Sequence, residues 1–478
     1  MVTLVSNAPQ ISGEICDVIK LFYPGAKIAS QSGGQLIIKH TALNYSGNAL
    51  SIASACGFSA SYCVPLSIEK PAHEQKSAMR KAAKISVFRL LRHITGYSPP
   101  WGSLTGVRPL RIISTAMAEH GEEAAKRQFI DELGVSEEKT ELALSTAKNQ
   151  LLIPPAKERD IDIYIGIPFC RTRCAYCSFS SVGIEKKGRL IPSYTAALIR
   201  ELNEKGKLLI KAGWNVRAIY VGGGTPTAID AGQLYKILSA CTEIFGEAVE
   251  FTVEAGRPDT IDAEKLSIIK QAGAGRISIN PQTMNDATLL RLSRGHDARS
   301  IETAFYMARE KGFSNINMDI IMALPKETAS DFAYTLEKIE AMRPDSLTVH
   351  ALALKRASAL KNEGMKTAVM PKADDDMPRL AYNSAAAMGM RPYYIYRQKN
   401  MAGNLENIGY CKPGLECLYN VDTMDDSVSI AAFGAGGVSK RFFPSAGRIE
   451  RTSNAKDVEQ YIEAEPLKER FLSLFIDN

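Results

Sequence analysis

No stretch of this 478-residue chain approaches the roughly 18 consecutive apolar residues that a membrane-crossing helix requires, so no bilayer span is expected. The N-terminus, MVTLVSNAPQISGEICD, lacks a basic segment leading into an apolar one, which argues against a secretory signal and for the cytoplasm. Cysteine is sparse: nine residues, an odd number spread thinly, suit a reducing compartment and not a disulfide framework. Strong charge of one sign is also missing. A net charge of +6 is modest for this length and does not by itself favour nucleic acid or an anionic membrane. The basic run KSAMRKAAKISVFRLLRH reads as a solvated helix face, and no basic and aromatic constellation points to an RNA surface. What remains is a soluble globular composition, 45% hydrophobic and 23% charged, in a chain too long for one ordinary core. We expect three parts: an accessory domain over residues 1–155, closed by Pro154-Pro155; a core over 156–355; and a substrate-binding or capping domain over 356–478.

The core has a rhythm. Short β-rich runs alternate with stretches of helical periodicity, the sign of parallel βα units. The runs are DIDIYIGI (160–167), AIYVGG (218–223), EFTVEA (250–255), RISIN (276–280), NINMDIIMA (315–323) and SLTVHALA (346–353). Six strands with five helical segments between them suggest a partial or open (β/α) barrel, whose chemistry gathers at the C-terminal ends of its strands. The unusual polar and glycine-rich features fall there. Cys170, Cys174 and Cys177 follow the first run, Gly222-Gly223-Gly224-Thr225-Pro226-Thr227 ends the second, and Glu254 lies near the end of the third. Gln282 and Arg294 follow the fourth, the fifth holds Asp319, and the sixth ends near His350 and Ala353.

A structural zinc site usually takes four protein ligands, and no fourth Cys or His lies near the triplet; Cys241 sits in an apolar helical stretch. A cubane iron-sulfur cluster fits better, because thiolates are its usual ligands, and three of them leave one iron open to a substrate or cofactor. Successive glycines let backbone approach a ligand closely, or simply make a tight turn. Glu254 and Asp319 lie in apolar strands, where a carboxylate needs a ligand or an ion-pair partner. Tyr164 could pack in the barrel, Arg294 could cap a helix end, and His350 could be a satisfied core histidine.

The segment Cys170-Arg171-Thr172-Arg173-Cys174-Ala175-Tyr176-Cys177, CxxxCxxC with an aromatic before the last cysteine, resembles the signature of radical S-adenosylmethionine (SAM) enzymes. The resemblance implies a partial (β/α)6 radical SAM barrel, flanked here by an N-terminal α+β domain and a C-terminal α+β extension. It also implies a [4Fe-4S] cluster whose open iron binds SAM. GGGTPT together with YIGIPFC is similar to the oxygen-independent coproporphyrinogen III dehydrogenases and their heme-chaperone relatives. Matched position by position, this implies that Tyr164, Gly223 and Glu254 contact the cluster-bound SAM. Tyr176, Gly224, Thr225, Gln282, Arg294, Asp319, Ala353 and Val438 would contact a second SAM, so that one or two molecules bind.

Outside the core, PYYIYRQKNMAGNLENIGYCKPGLECLYN (392–420) packs tyrosines, cations and amides around glycines. Such rings could stack on a flat macrocycle while Arg397 and Lys399 pair with its carboxylates, or the stretch could be an ordinary polar loop. This segment, AFGAGGVSK (432–440) and PPWGSLTGVRPLRI (99–112) resemble the Z-type branch of the coproporphyrinogen dehydrogenases. The expected activity is oxidative decarboxylation of coproporphyrinogen III to protoporphyrinogen IX, with a flavodoxin or ferredoxin as electron donor. After Cys177 comes Ser178-Phe179, where those dehydrogenases carry Gly-Cys; this pair resembles the heme-chaperone side, whose members carry heme. A radical SAM enzyme acting on tRNA is the weaker expectation, for want of an RNA-binding constellation.

Overall fold

Alternation of apolar and polar residues between positions 36 and 65 folds as a three-stranded meander. In the computed structural model, which describes residues 1–30, 34–66, 72–106, 108–177, 179–353, 376–398, 401–444, 447–467 and 469–476, the chain divides into two units. The first takes Met1–Ala147 and Tyr396–Glu406. Its strands are β1 (Val2–Ser6), β2 (Ile28–Ala29), β3 (Leu36–Tyr45), β4 (Asn48–Ala55) and β5 (Phe58–Pro65), in the order β2-β1-β3-β4-β5. Two-residue turns join the last three. Ser46-Gly47 and Cys56-Gly57 all have positive φ (48°, 72°, 52° and 80°), the twist that matches antiparallel strands. Helices Ser12–Phe22 and Ala72–Thr95 pack on the sheet over a core that includes Leu4, Ile15, Val18, Ile38, Ala53, Val87 and Leu91.

Tyr396–Glu406 was expected to lie in a separate C-terminal domain, but it belongs to this first unit. Glu406 is fully buried there and accepts hydrogen bonds from Trp101 Nε1 and Lys139 Nζ, both at 2.7 Å. A buried carboxylate needs such partners, and the matching cation is almost as buried.

The second unit carries β6 (Asp160–Ile167), the short pair β7 (Phe169–Cys170) and β8 (Val182–Gly183), then β9 (Asn215–Gly223), β10 (Glu250–Gly256), β11 (Arg276–Gln282), β12 (Asn315–Met322) and β13 (Ser346–Ala351). The six long strands lie side by side and parallel, in chain order from β6 to β13. This is the expected partial barrel. Five of the intervening helices open on a side chain that caps a free backbone N–H: Asp230, Asp262, Asn285, Asp297 and Thr328, the last in a reciprocal box with Asp331.

The sheet does not stop at six strands. β14 (Arg391–Tyr396) and β15 (Asn407–Cys411) extend it beyond β13, while β16 (Ser429–Phe433), β17 (Val438–Phe443) and β18 (Arg448–Ser453) extend it beyond β6. β16 runs parallel to β6, with Phe433 opposite Ile165. Much of the C-terminal extension therefore completes both edges of the barrel sheet. The sheet stays open among the described residues, and no helix among them is long and apolar enough to cross a membrane.

Candidate active site

The three cysteines occupy a loop clamped at its base. Phe169 and Cys170 pair in register with Val182 and Gly183, and Val182 N donates to Pro168 O at 2.9 Å, so residues 171–181 form a closed excursion at the C-terminal end of β6. Within it, Cys177 N donates to Cys174 O, and Ala175 N reaches Leu292 O in the turn beyond β11. Cys170 and Cys174 are buried and Cys177 is half-buried; all three are free thiols.

Burial pushes the thiols of Cys170 and Cys177 up, and the neighbouring sulfurs add to the rise. Thiolates this close are sustained by a cationic metal core. Among the described residues no three His, Cys, Asp or Glu side chains converge tightly enough to grip one ion. A cubane makes no such demand, since each thiolate binds a different iron. Three cysteines on one loop are a donor set that fits such a cluster.

GGGTPT serves this loop as much as any ligand. Gly224 N and Thr225 N donate to Ile167 O and Phe169 O, both at 2.8 Å, and Thr225 Oγ1 lies 3.6 Å from Cys170 Sγ. A Cβ at Gly224 would sit 2.6 Å from Phe169 O, and one at Gly222 would sit 2.9 Å from Glu254 Oε2. Two of the three glycines therefore admit protein atoms, one the cluster loop and the other a carboxylate. Gly223, with φ 112°, makes the turn between them.

A polar row lines the concave side of the strands. Tyr164, Tyr220, Glu254, Asn280, Asp319 and His350 are all partly exposed in otherwise buried strands. Tyr220 OH donates to Glu254 Oε1 at 2.5 Å, and Tyr419 stacks on Tyr220 with ring centroids 4.5 Å apart. Burial raises the Glu254 carboxyl to about 7; the Tyr220 hydrogen bond opposes this and the charge of Asp319 reinforces it. His350, three strands away on β13, also acts on Glu254, as a curved sheet allows. Asp319 accepts from Asn317 Nδ2 at 2.7 Å and lies 3.7 Å from His350 Nε2. Burial alone would raise its carboxyl, but these hydrogen bonds and the imidazole outweigh it and hold it below its ordinary value.

Gln282 ends β11 with a left-handed backbone, φ 70°, and its buried Oε1 has no hydrogen-bond partner among the described residues. Gln282 thus combines a left-handed backbone with an unmatched buried acceptor at one rim position. Arg294, expected at the same site, is buried; its guanidinium donates to Tyr176 OH at 3.1 Å and to Cys174 Sγ at 3.6 Å, and also to Asn280 O. Ala353 follows β13 on the same rim and is partly exposed. Val438 is exposed at the start of β17, two strands out from β6.

The C-terminal aromatic stretch departs from expectation. Tyr393, Tyr394 and Tyr410 are at most 3% exposed and serve as core, whereas Tyr419 at the far end of the same stretch is partly exposed and stacks on Tyr220. Arg397 is enclosed in the first unit. It donates to Leu104 O at 2.6 Å and Asn404 Oδ1 at 2.6 Å beneath the Trp101 ring, and burial pulls it down to about 10. It is therefore held by protein acceptors and not open to a carboxylate. Lys399 and Ser178 lie outside the described residues. The sequence pattern does not single out Arg257, Tyr220 or Asn280, and it leaves His350 open between the rim and the core. Arg257 had one signal, its place three residues past Glu254 at a strand's C-terminal end.

Residues 164–339 match the radical SAM superfamily. Over 403 residues the chain is 36% identical to the oxygen-independent coproporphyrinogen-III oxidase-like protein HemZ of Bacillus subtilis, covering 83% of this chain and 80% of that protein. It is 29% identical to the heme chaperone HemW of the same organism, covering 63% of this chain and 74% of that one. Among solved structures, coproporphyrinogen III oxidase (HemN) from Escherichia coli superposes with a TM-score of 0.52 at 23% identity, over 66% of this chain and 71% of that one. That likeness is one of fold.

Proposed function

Because this chain belongs to the radical SAM superfamily, in the family of HemZ-like coproporphyrinogen oxidase relatives, we propose that it converts coproporphyrinogen III to protoporphyrinogen IX in the cytoplasm, by oxidative decarboxylation of two propionates. The observation that carries the reading is the single rim on which the clamped cysteine loop, the strained Gln282 and the polar row from Tyr164 to His350 all lie. Cys170, Cys174 and Cys177 would hold a [4Fe-4S] cluster, with Tyr164, Gly223 and Glu254 beside its SAM. Bound there, these groups would supply one-electron and hydrogen-atom-abstraction chemistry; each propionate converted to a vinyl group gives up a hydrogen atom, carbon dioxide and one electron, the last to a one-electron acceptor.

The chain's own side chains orient and exclude. Tyr419 and Tyr220 fill the concave space beside Glu254, keeping a large macrocycle at the rim. Asp319 with His350, and Gln282 through its free acceptor, provide polar contacts for whatever enters beside the SAM. Tyr176, Gly224, Thr225, Arg294, Ala353 and Val438 are the positions where a second SAM would bear. A flavodoxin or ferredoxin would deliver the electrons.

The test is direct. Anaerobically reconstituted protein given SAM, a reductant and coproporphyrinogen should release protoporphyrinogen; SAM cleavage without a vinyl product sinks the substrate assignment. A heme carrier is the second reading, favoured by Phe179, 68% exposed beside the cysteine loop where those dehydrogenases have cysteine. It requires tight, stoichiometric heme binding and no turnover.

A further inference from the structure

The cluster reading makes the three cysteines chemically alike, yet their surroundings are not. Cys170 faces the neutral hydroxyl of Thr225 at 3.6 Å and also feels the charge of Arg257. Cys174 faces two cations: Arg294 NH1 at 3.6 Å and Arg257 NH1 at 3.9 Å. Arg257 is 3% exposed and fixed on every side. Its Nε and NH2 make a two-pronged pair with Asp259 Oδ1 and Oδ2, each at 2.9 Å, and NH2 also donates to Arg294 O. Its NH1 donates to Thr172 O at 3.0 Å and to Thr172 Oγ1 at 2.7 Å, inside the cysteine loop. Asp259 is shared with His296 Nδ1, 3.4 Å away, and with Arg171.

A planar guanidinium held by a carboxylate fork keeps one orientation. Here that orientation points a positive charge at a ligand sulfur. Reduction adds negative charge to a cluster, so donors and cations at its sulfurs favour the reduced state and raise the potential. We propose that Arg257 is a positioning residue that sets the reduction potential of the cluster through the Cys174 sulfur, with Asp259 as the counter-charge that orients and moderates it. The proposal rests on these cysteines being cluster ligands.

A plain structural staple would also tie Arg257 to Thr172, so the test turns on sign. Full-length protein is reconstituted anaerobically, its iron and sulfide are measured, and the cluster is titrated with EPR detection. Arg257→Gln should disfavour the reduced cluster about tenfold, a shift of about 59 mV downward for one electron. Arg257→Lys keeps the charge and should recover part of that shift. Asp259→Asn removes the opposing negative charge and should move the potential upward. Shifts of the same sign in Arg257→Gln and Asp259→Asn, or no shift in either, overturn the proposal. If Arg257→Gln holds no cluster, Asp259→Asn decides alone, and an unmoved or lowered potential overturns it. A wild-type chain without iron or an EPR signal defeats the cluster reading instead, a separate result.

Discussion

Glu254 sits in the notch between Gly222 and Tyr220 with a carboxyl that ionises near pH 7, against an ordinary value near 4.5. Below pH 4.5 it is neutral in both folded and unfolded chains. Between 4.5 and 7 the unfolded chain releases the proton that the folded one keeps, so this group lowers stability as pH rises, and the loss is complete above 7. The shift corresponds to a cost on the order of 3 kcal/mol in cluster-free protein. Glu254→Gln should therefore raise the melting temperature of the cluster-free protein at pH 8 and leave it unchanged at pH 4, measured by scanning fluorimetry. On the proposed contact between Glu254 and SAM, the same variant should bind SAM several-fold more weakly above pH 7, where the wild type carries a carboxylate at that position. Equal melting curves at pH 8 would refute the stored cost. Glu254 was legible in sequence because a carboxylate in an apolar strand demands an explanation. Arg397 was misread because the pattern of cations and aromatics in a sequence is the same whether a guanidinium faces a ligand or, as here, lies beneath Trp101.

Among the elements, the cysteine loop and the turn after β16 depend on buried devices that local patterns do not reveal. Helix Ile191–Glu201 ends in Glu201, which accepts from Gly434 N at 2.8 Å, Asn454 Nδ2 at 2.8 Å and Tyr461 OH at 2.6 Å, and pairs with Lys205. Both charges are 2% exposed. Tyr194, on the same helix, donates to Gly166 O in β6 and accepts from Ala435 N, so the helix fixes the glycine-rich turn against the first barrel strand. Glu201→Ala leaves Lys205 without its counter-charge and should cost about 3–5 kcal/mol in urea unfolding, whereas replacing both with Leu and Met removes the stranded charge but not the three orphaned donors and should restore only part of it. If the double variant is as unstable as the single one, the unpaired charge is not the cause. Gly224→Ala works differently: the new Cβ meets the Phe169 carbonyl, backbone that cannot swing aside. The loop must shift, so reconstituted iron and sulfide should fall several-fold while far-ultraviolet circular dichroism stays unchanged. The sequence reading placed the glycines correctly at a strand end and assigned their space to a ligand. That two of them make room for protein atoms depends on residues 30 to 60 positions away, which spacing alone cannot supply.

At the scale of the whole molecule, the six-strand rhythm was readable because the strands are largely buried on both faces and most of the helices between them open on a capping side chain. The assignment of distant segments was not. Tyr396–Glu406 lies more than 240 residues beyond Ala147, and no periodicity links them; what joins them is one buried carboxylate, Glu406, facing Trp101 and Lys139, with Arg397 donating to Leu104 O. A fragment ending at the Pro154-Pro155 boundary would keep Lys139 and Trp101 but lose the acceptor that both require. Lys139 is 4% exposed and would keep only the exposed Glu138, 3.4 Å away, so its charge would be poorly matched unless that part of the fragment opens to water. Of the chain's two tryptophans only Trp101 falls within residues 1–155, which makes its fluorescence a clean reporter. The fragment alone should emit at longer wavelength than a folded, buried indole and unfold without a cooperative transition. Addition of a peptide spanning residues 391–411 should shift the emission back and restore cooperativity, and the same peptide carrying Glu406→Ala should do neither. A fragment that is already blue-shifted and cooperative without the peptide would mean that residues 1–155 carry their own complete core, as contiguous domain boundaries imply, and that the buried Glu406 is an addition to that core and not a condition of it.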